Sequence, residues 1–256
     1  MRYPPSHFAQ CTTKEKRRKD SLLGQIFYRP LSFVSSSICA ELGITANAVS
    51  FFSWLLAIAI ITLLCIDNQV CRIVGSSLIL FWNLLDCTDG NLARGVKKQH
   101  LGEYLDAMSS FFLTPGLVFC AALITYYCGG LCFQKGDSLV LSLGAGAMAC
   151  GIMGRLLYQK FSNTLAEEEQ PAQQATPAEK KTSGGMMALL KKAAGRFECD
   201  AGIGGFEPLL LGISPFFNFT DIVFFIYGGY SILTLLVIVF FTCRTAFRLN
   251  HQKKVN

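Results

Sequence analysis

The chain alternates long apolar stretches with short polar segments. A helix needs about 20 predominantly apolar residues to cross the hydrocarbon core of a bilayer. The pattern predicts six membrane-spanning helices, at residues 47–66, 71–94, 102–127, 136–160, 206–217 and 219–247. The fifth of these is the shortest and contains Glu207, Pro208 and Pro215. The sequence is therefore typical of an all-α integral membrane protein with six transmembrane helices.

The segments outside the predicted spans are of three kinds. Residues 1–20 are polar and basic, while residues 21–40 mix large apolar side chains with serines, an arginine and Pro30. We interpret residues 21–40 as a helix that lies at the membrane interface and is broken near Pro30, because they are too polar to span a bilayer. Residues 162–185 have the composition of a disordered linker, and residues 186–197 resemble a short amphipathic helix.

The distribution of charge predicts which segments face the cytosol. The net charge of +6 comes from lysines and arginines that cluster in the short segments between apolar runs. That clustering indicates the cytosolic face of a membrane and not a nucleic-acid partner. Both termini and the candidate site are therefore predicted to face the cytosol. The chain divides into a basic tail with the interfacial helix (1–46), four spans (47–160), a linker with the amphipathic helix (161–205), and two spans with a basic tail (206–256).

The segment 86–110 carries polar residues at regular helical intervals between two apolar runs. Asp86 and Asp89 are three residues apart, so they project from one face of a helix. Asp106 lies at the start of the next predicted helix, and a tight turn would bring its carboxylate to the other two. Three carboxylates in a small, partly buried place repel one another unless a cation binds between them. Oxygen ligands of this kind favour Mg2+ or Mn2+, which commonly serve substrates that carry phosphates.

These residues also resemble a known signature. The string Asp86-x-x-Asp89-Gly90-x-x-Ala93-Arg94, then seven residues, then Gly102-x-x-x-Asp106, resembles the CDP-alcohol phosphotransferase signature D-x-x-D-G-x-x-A-R-x(7 or 8)-G-x-x-x-D-x-x-x-D. Every fixed position matches except the last, where this chain has Ser110. Residues 44–50, I-T-A-N-A-V-S, are similar to the I-T-P-N-x-V-T/S segment with which the family begins its first spanning helix. Within it, Thr45 is also of a residue type that caps helices.

The resemblance implies a six-helix membrane enzyme, often a homodimer, that takes part in phospholipid synthesis. Such an enzyme transfers a substituted phosphate from a CDP-linked donor to an alcohol acceptor and releases CMP. The lipid is either on the donor, as CDP-diacylglycerol, or on the acceptor, with a CDP-head group as donor. The resemblance implies two divalent ions, Mg2+ or Mn2+, bound by Asp86, Asp89 and Asp106. It implies nucleotide contacts by Asp86, Gly90, Ala93, Arg94 and Gly102, and catalytic roles for Asp106, Ser110 and Arg94.

Ser110 leaves several alternatives open. The family has an aspartate at this position, and the resemblance implies that this aspartate holds metal and takes the proton of the attacking hydroxyl. A serine is not a base near neutral pH. Either water, another carboxylate or a substrate phosphate takes the proton, or catalysis is lost and donor binding is kept, or the serine was introduced to trap a complex. Glu103 does not replace the missing group, because seven helical residues separate it from Ser110 by about 10 Å.

Overall fold

The computed structural model of the protein describes residues 2–169, 200 and 202–255. All regular structure in these residues is helical. Three short helices come first, α1 (Pro5–Cys11), α2 (Lys14–Lys19) and α3 (Arg29–Glu41), with a π-helical segment, Gly24–Tyr28, directly before α3. The helices that follow are α4 (Ala46–Cys65), α5 (Gln69–Gly95), α6 (Gly102–Cys128), α7 (Ser138–Glu169), α8 (Glu207–Phe217) and α9 (Thr220–Val255).

Five of the described helices are long and apolar enough to cross a membrane, namely α4, α5, α6, α7 and α9. Each begins within two residues of its predicted start. Helix α8 has 11 residues. At about 1.5 Å per residue it covers about 16 Å, which is roughly half of a hydrocarbon core of about 30 Å. The predicted all-α membrane fold is confirmed, with a short helix at the place of the fifth predicted span.

Capping side chains define where two of the long helices begin. Thr45 Oγ1 accepts a hydrogen bond from the backbone N–H of Ala48 at 3.3 Å, which is the N-cap expected from the sequence. Asn68 Oδ1 accepts hydrogen bonds from the N–H groups of Val70, at 2.8 Å, and Cys71, at 3.3 Å. These bonds satisfy backbone donors that have no partner inside the first turn of α4 and α5.

Helix α6 lies at the centre of the bundle and packs against α4, α7, α8 and α9. Small residues allow these close contacts. A Cβ at Gly116 of α6 would lie only 2.7 Å from Cδ1 of Ile61 on α4, and a Cβ at Gly144 of α7 would overlap Ala122 of α6. Inside a bilayer, helix association depends on van der Waals packing of this kind, because lipid tails are as apolar as the side chains.

Helix α8 runs antiparallel to α5. Ile203, just before α8, accepts a hydrogen bond from Asn83 Nδ2 at 2.8 Å, and Gly212 within α8 packs against Ser76. The hydroxyl of Thr220, at the start of α9, then donates to the carbonyl of Gly129 at 2.6 Å. The chain therefore reaches the end of α6 opposite to Asp106 before α9 begins.

Two features of the peripheral segments differ from the predictions. Pro30 does not break its helix, because the preceding turn widens and Arg29 N–H donates to the carbonyl of Gly24, five residues earlier. Helix α7 continues to Glu169, past the expected start of the linker at residue 162, since alanine, leucine and glutamate favour helix. The rest of the predicted linker and the predicted amphipathic helix at 186–197 lie outside the described residues.

Candidate metal and nucleotide site

Three carboxylates converge between α5 and α6. Oxygen atoms of Asp86, Asp89 and Asp106 all lie within 4.8 Å of one another. Asp89 is buried, Asp86 is partly exposed and Asp106 is exposed. Among the described residues, no arginine, lysine or histidine forms an ion pair with any of the three. A set of unpaired carboxylates at this spacing fits a divalent cation, which would relieve their mutual repulsion.

The turn between α5 and α6 is held by the start of α4. Asn47 Nδ2 donates to the carbonyl of His100 at 3.0 Å, and Asn47 N–H donates to Oε1 of Gln99 at 2.8 Å. A Cβ at Gly102 would lie 3.3 Å from Oδ1 of Asn47. Gly102 therefore lets the start of α6 lie close to α4, and this contact sets where Asp106 sits.

Helix α4 also supports Asp89. The hydroxyl of Ser50 donates to Asp89 Oδ2 at 2.6 Å. Ser50 and Asn47 both belong to the segment 44–50, whose resemblance to the family is the weaker of the two. Segment 86–106 therefore supplies the carboxylates, and segment 44–50 packs beside it and hydrogen-bonds to Asp89 and to the turn before α6.

Gly90 and Arg94 lie on the same side of α5. A Cβ at Gly90 would lie 3.2 Å from both terminal nitrogens of Arg94, so the absence of a side chain leaves room for the guanidinium. Arg94 Nη2 donates to Asn91 Oδ1 at 2.9 Å. Ala93 is placed differently, against an apolar cluster that includes Phe8 and Val49.

Asn91 connects the N-terminal helices to the site, a role that its place in the sequence does not predict. It is buried, and its Oδ1 accepts hydrogen bonds from Arg94, Thr12 (3.4 Å) and Arg29 (3.5 Å). Its Nδ2 donates to Ser32 Oγ at 2.9 Å. The position falls between fixed positions of the signature, and one more polar side chain in that segment was the only signal that could have marked it.

Positive charge collects beside the carboxylates. Arg29 is buried and pairs with Asp20, Nε to Oδ2 at 2.6 Å and Nη2 to Oδ1 at 2.9 Å. Burial lowers the pKa of Lys16 in α2, and the charges of Arg94 and Arg29 lower it further. Lys16, Arg29 and Arg94 therefore bring positive charge from three segments to one place, only part of which is balanced by Asp20 and Asp86, and a bound phosphate anion would be stabilised there.

Helix α1 covers the end of α5. The ring of Phe8 is fully buried, and a Cβ at Gly95 would lie 2.6 Å from it. The imidazole Nε2 of His7 lies at a hydrogen-bonding distance of 2.8 Å from the carbonyl of Gly95. The basic N-terminal segment is thus partly folded onto the site, whereas its composition predicts a tail.

A cavity of about 620 Å³ adjoins Asp86 and extends among α5, α6, α7, α8 and α9. Thr114 of α6, Arg155 of α7 and Glu207 of α8 contribute to its wall. Ser110 lies one helical turn before Thr114, and its hydroxyl donates to the carbonyl of Ala107 at 3.1 Å. The cavity therefore offers a space inside the bundle that is continuous with the carboxylate cluster.

Comparison with known proteins identifies the family. Residues 43–195 match the model of the family described as CDP-alcohol phosphatidyltransferase. No curated protein matches the chain. The matched residues make up more than half of the sequence. They include all three converging aspartates, the segment 44–50, and the turn between α5 and α6. On this match the chain belongs to the CDP-alcohol phosphatidyltransferase family.

Proposed function

We propose that the protein is a membrane transferase that moves a substituted phosphate from a CDP-linked donor to an alcohol acceptor and releases CMP. Membership of the family supports a membrane phosphotransferase of phospholipid synthesis. The observation that carries the proposal is the convergence of Asp86, Asp89 and Asp106 within 4.8 Å from two helices. Phosphoryl transfer requires positioned reactants and neutralised charge more than covalent help, and such a cluster serves that need.

The carboxylates would hold divalent metal, on which the family generally depends. Two Mg2+ or Mn2+ ions bound by Asp86, Asp89 and Asp106 would neutralise the diphosphate of the donor and stabilise the departing CMP. Ser50 keeps the carboxylate of Asp89 oriented towards that position. The deprotonated, hydrogen-bonded state of Asp89 is the one that coordinates a cation.

The cations around Asn91 would bind the donor. Arg94, Arg29 and Lys16 present positive charge to the same side of the site, and guanidinium groups match phosphate geometry. Asn91 orients the two arginines through its Oδ1. Gly90 leaves room for the Arg94 guanidinium to lie against α5, where it would meet a phosphate of the donor.

The cavity beside Asp86 would hold the alcohol acceptor or the apolar part of the lipid substrate. We further propose that the carboxylate cluster and both termini face the cytosol, since lysines and arginines accumulate at that end of the bundle. A homodimer is the expected assembly by the family resemblance.

The test is release of CMP by the purified protein in lipid nanodiscs. CDP-diacylglycerol with small alcohols, and CDP-head groups with diacylglycerol, are supplied in turn with Mg2+ or Mn2+. We expect CMP with one of these pairs, none after chelation with EDTA, and none with Asp89→Asn. Asp137→Asn is the matched control, because Asp137 lies in the loop before α7 and caps Leu139 N–H at 2.9 Å, which asparagine also does. Metal-dependent binding of CDP without CMP release would establish the non-catalytic alternative instead.

A further inference from the structure

Arg29 is a buried arginine that no signature position accounts for. It is the first residue of α3, its exposed fraction is 6%, and it lies outside residues 43–195, the part of the chain that matches the family. Its side chain lines the wall of the cavity together with Asp86. A buried charge is costly unless it is paired and hydrogen-bonded, so the partners of Arg29 indicate what the guanidinium does.

Serine side chains hold the start of α3 against α5. Ser32 Oγ accepts a hydrogen bond from Asn91 Nδ2 at 2.9 Å and donates to the carbonyl of Arg29 at 2.9 Å. One helical turn later, the hydroxyl of Ser36 donates to the carbonyl of Thr88 at 3.3 Å. Both partners on α5 belong to the turns that carry two of the converging carboxylates, so these bonds place Arg29 beside the carboxylate cluster.

The guanidinium of Arg29 is shared between two partners. Asp20, which directly follows α2, accepts from Nε at 2.6 Å and from Nη2 at 2.9 Å and so occupies one edge of the planar group. Nη1 donates to Oδ1 of Asn91 at 3.5 Å. Arginine has five N–H donors, so within the described part of the chain these bonds leave two of them for a ligand. Asp20 therefore orients Arg29 towards the site and does not cover it.

Arg29 and Arg94 are neighbours of like charge. A single oxygen atom, Oδ1 of Asn91, accepts a hydrogen bond from each of them, so the two guanidinium groups lie close together. A neutral amide oxygen does not balance two positive charges, and the one charge of Asp20 does not balance both. Guanidinium groups form charge-assisted hydrogen bonds with phosphate oxygens. The two neighbouring arginines therefore match the two linked phosphates of a nucleoside diphosphate.

The surroundings of the two arginines decide which phosphate each would bind. Arg29 lines the cavity, and Asp86 acts on it electrostatically. Arg94 lies instead against Gly90 on α5, and it is not among the described residues of the cavity wall. The cavity is the space proposed above for the acceptor or the lipid. Arg29 is therefore the arginine nearer to the phosphate that the acceptor attacks.

We propose that Arg29 is a catalytic residue that binds the phosphate to be transferred, that Asp20 positions it, and that Arg94 binds the phosphate that leaves in CMP. This proposal rests on the transferase function proposed above. The acceptor oxygen forms a bond to the phosphorus held by Arg29, and the bond from that phosphorus to the bridging oxygen breaks. CMP leaves with the electron pair of that bond, and the proton of the acceptor hydroxyl passes to water.

The first experiment measures the affinity of CDP and of CMP, each with Mg2+, by calorimetry on the protein in lipid nanodiscs. Only CDP carries the second phosphate, so Arg29→Gln should weaken CDP binding about tenfold or more and change CMP binding less than threefold. Arg94→Gln should weaken both. Arg72→Gln is the matched control and should leave both affinities unchanged. Arg72 is also buried and paired with an aspartate, Asp67, but it lies at the opposite end of α5.

The second experiment measures the rate of CMP release from the CDP-linked donor. Arg29→Gln should lower this rate about 100-fold or more, because the guanidinium stabilises charge on the transferred phosphate. Asp20→Asn should lower the rate about tenfold, whereas Asp20→Glu should keep most of it. Arg29→Gln leaves the Asp20 charge unpaired, which destabilises a buried site. The double variant Asp20→Asn/Arg29→Gln has no unpaired charge and should be as slow as Arg29→Gln alone.

Three results would each overturn the proposal. They are an equal loss of CDP and CMP binding in Arg29→Gln, a rate above one third of the unaltered value in the double variant, and stronger CDP binding in Asp20→Asn. The last result would make Asp20 a competitor of the donor. An unaltered chain that releases no CMP would contradict the transferase function, and the paired affinities for CDP and CMP would still test the roles of the two arginines.

Discussion

Ser50 of α4 donates a hydrogen bond of 2.6 Å to Asp89 of α5, the most buried of the three converging carboxylates. The contact joins two segments that are 39 residues apart in the sequence. It orients the carboxylate that is least able to adjust, because Asp89 is enclosed by protein whereas Asp106 is exposed. Groups that orient metal ligands in this way are part of the binding site.

We therefore expect Ser50→Ala to weaken metal binding by about tenfold or more, the usual effect of removing a partner of a metal ligand. The measurement is the Mg2+ concentration that gives half-maximal binding of CDP to the protein. Ser53→Ala is the matched control, because Ser53 is similarly buried one turn later on α4 and its hydroxyl donates to the carbonyl of Val49, at 3.0 Å, within its own helix. Equal effects of the two substitutions would show that Ser50 stabilises α4 and does not orient the Asp89 carboxylate for metal binding.

Phe8 should be needed to keep α1 on the end of α5. Its ring is fully buried against Gly95, and replacing a buried phenylalanine by alanine costs about 3–5 kcal/mol. We expect Phe8→Ala to release α1, which hydrogen exchange of residues 5–11 would report as faster exchange. The matched control is Phe27→Ala, because Phe27 is 51% exposed. Unchanged exchange in Phe8→Ala would mean that other contacts, such as that of His7, hold the helix.

Lys16 should contribute to binding of the donor diphosphate. Burial and the charges of Arg94 and Arg29 lower its pKa, so a bound anion would relieve unfavourable charge at this position. A hydrogen bond to a charged group is worth about 1.5–3 kcal/mol, so Lys16→Gln should weaken CDP binding about tenfold or more. Lys16→Arg should keep most of the affinity.

The control for this prediction is Lys135→Gln. Lys135 is an exposed residue of the loop between α6 and α7, at the opposite end of α6 from Asp106. Its removal lowers the net charge of the protein by the same amount without touching the site. If both substitutions reduce CDP binding equally, and the loss disappears at high salt, the effect of Lys16 is a general one of net charge.

The predictions from sequence succeeded where the signal is local. Apolar runs and capping residues such as Thr45 depend on neighbours in the chain, so the long helices begin within two residues of their predicted starts. The effect of Pro30 is the exception. The chain accommodates the missing N–H by a π-helical turn that bonds Arg29 to Gly24, and sequence patterns do not distinguish such a turn from a break.

The site was predictable only in part. The spacing of Asp86, Asp89 and Asp106 indicated that they would meet, and they do. Asn91 and Arg29 lie 62 residues apart and come into contact only because α3 packs on α5. Glu207 appeared in the sequence merely as a residue that weakens the fifth predicted span. Nothing along the chain indicates that its carboxylate reaches the cavity beside Asp86.

The sequence by itself determined the membrane class, the starts of the long helices and the carboxylate signature, because hydropathy, capping and helical spacing act over a few residues. Only the tertiary structure decided which distant groups surround those carboxylates. Ser50 comes to the site from α4, Arg29 from α3 and Asn91 from α5. Their placement depends on how apolar faces and small residues pack across the bundle, and that packing is a property of the whole fold.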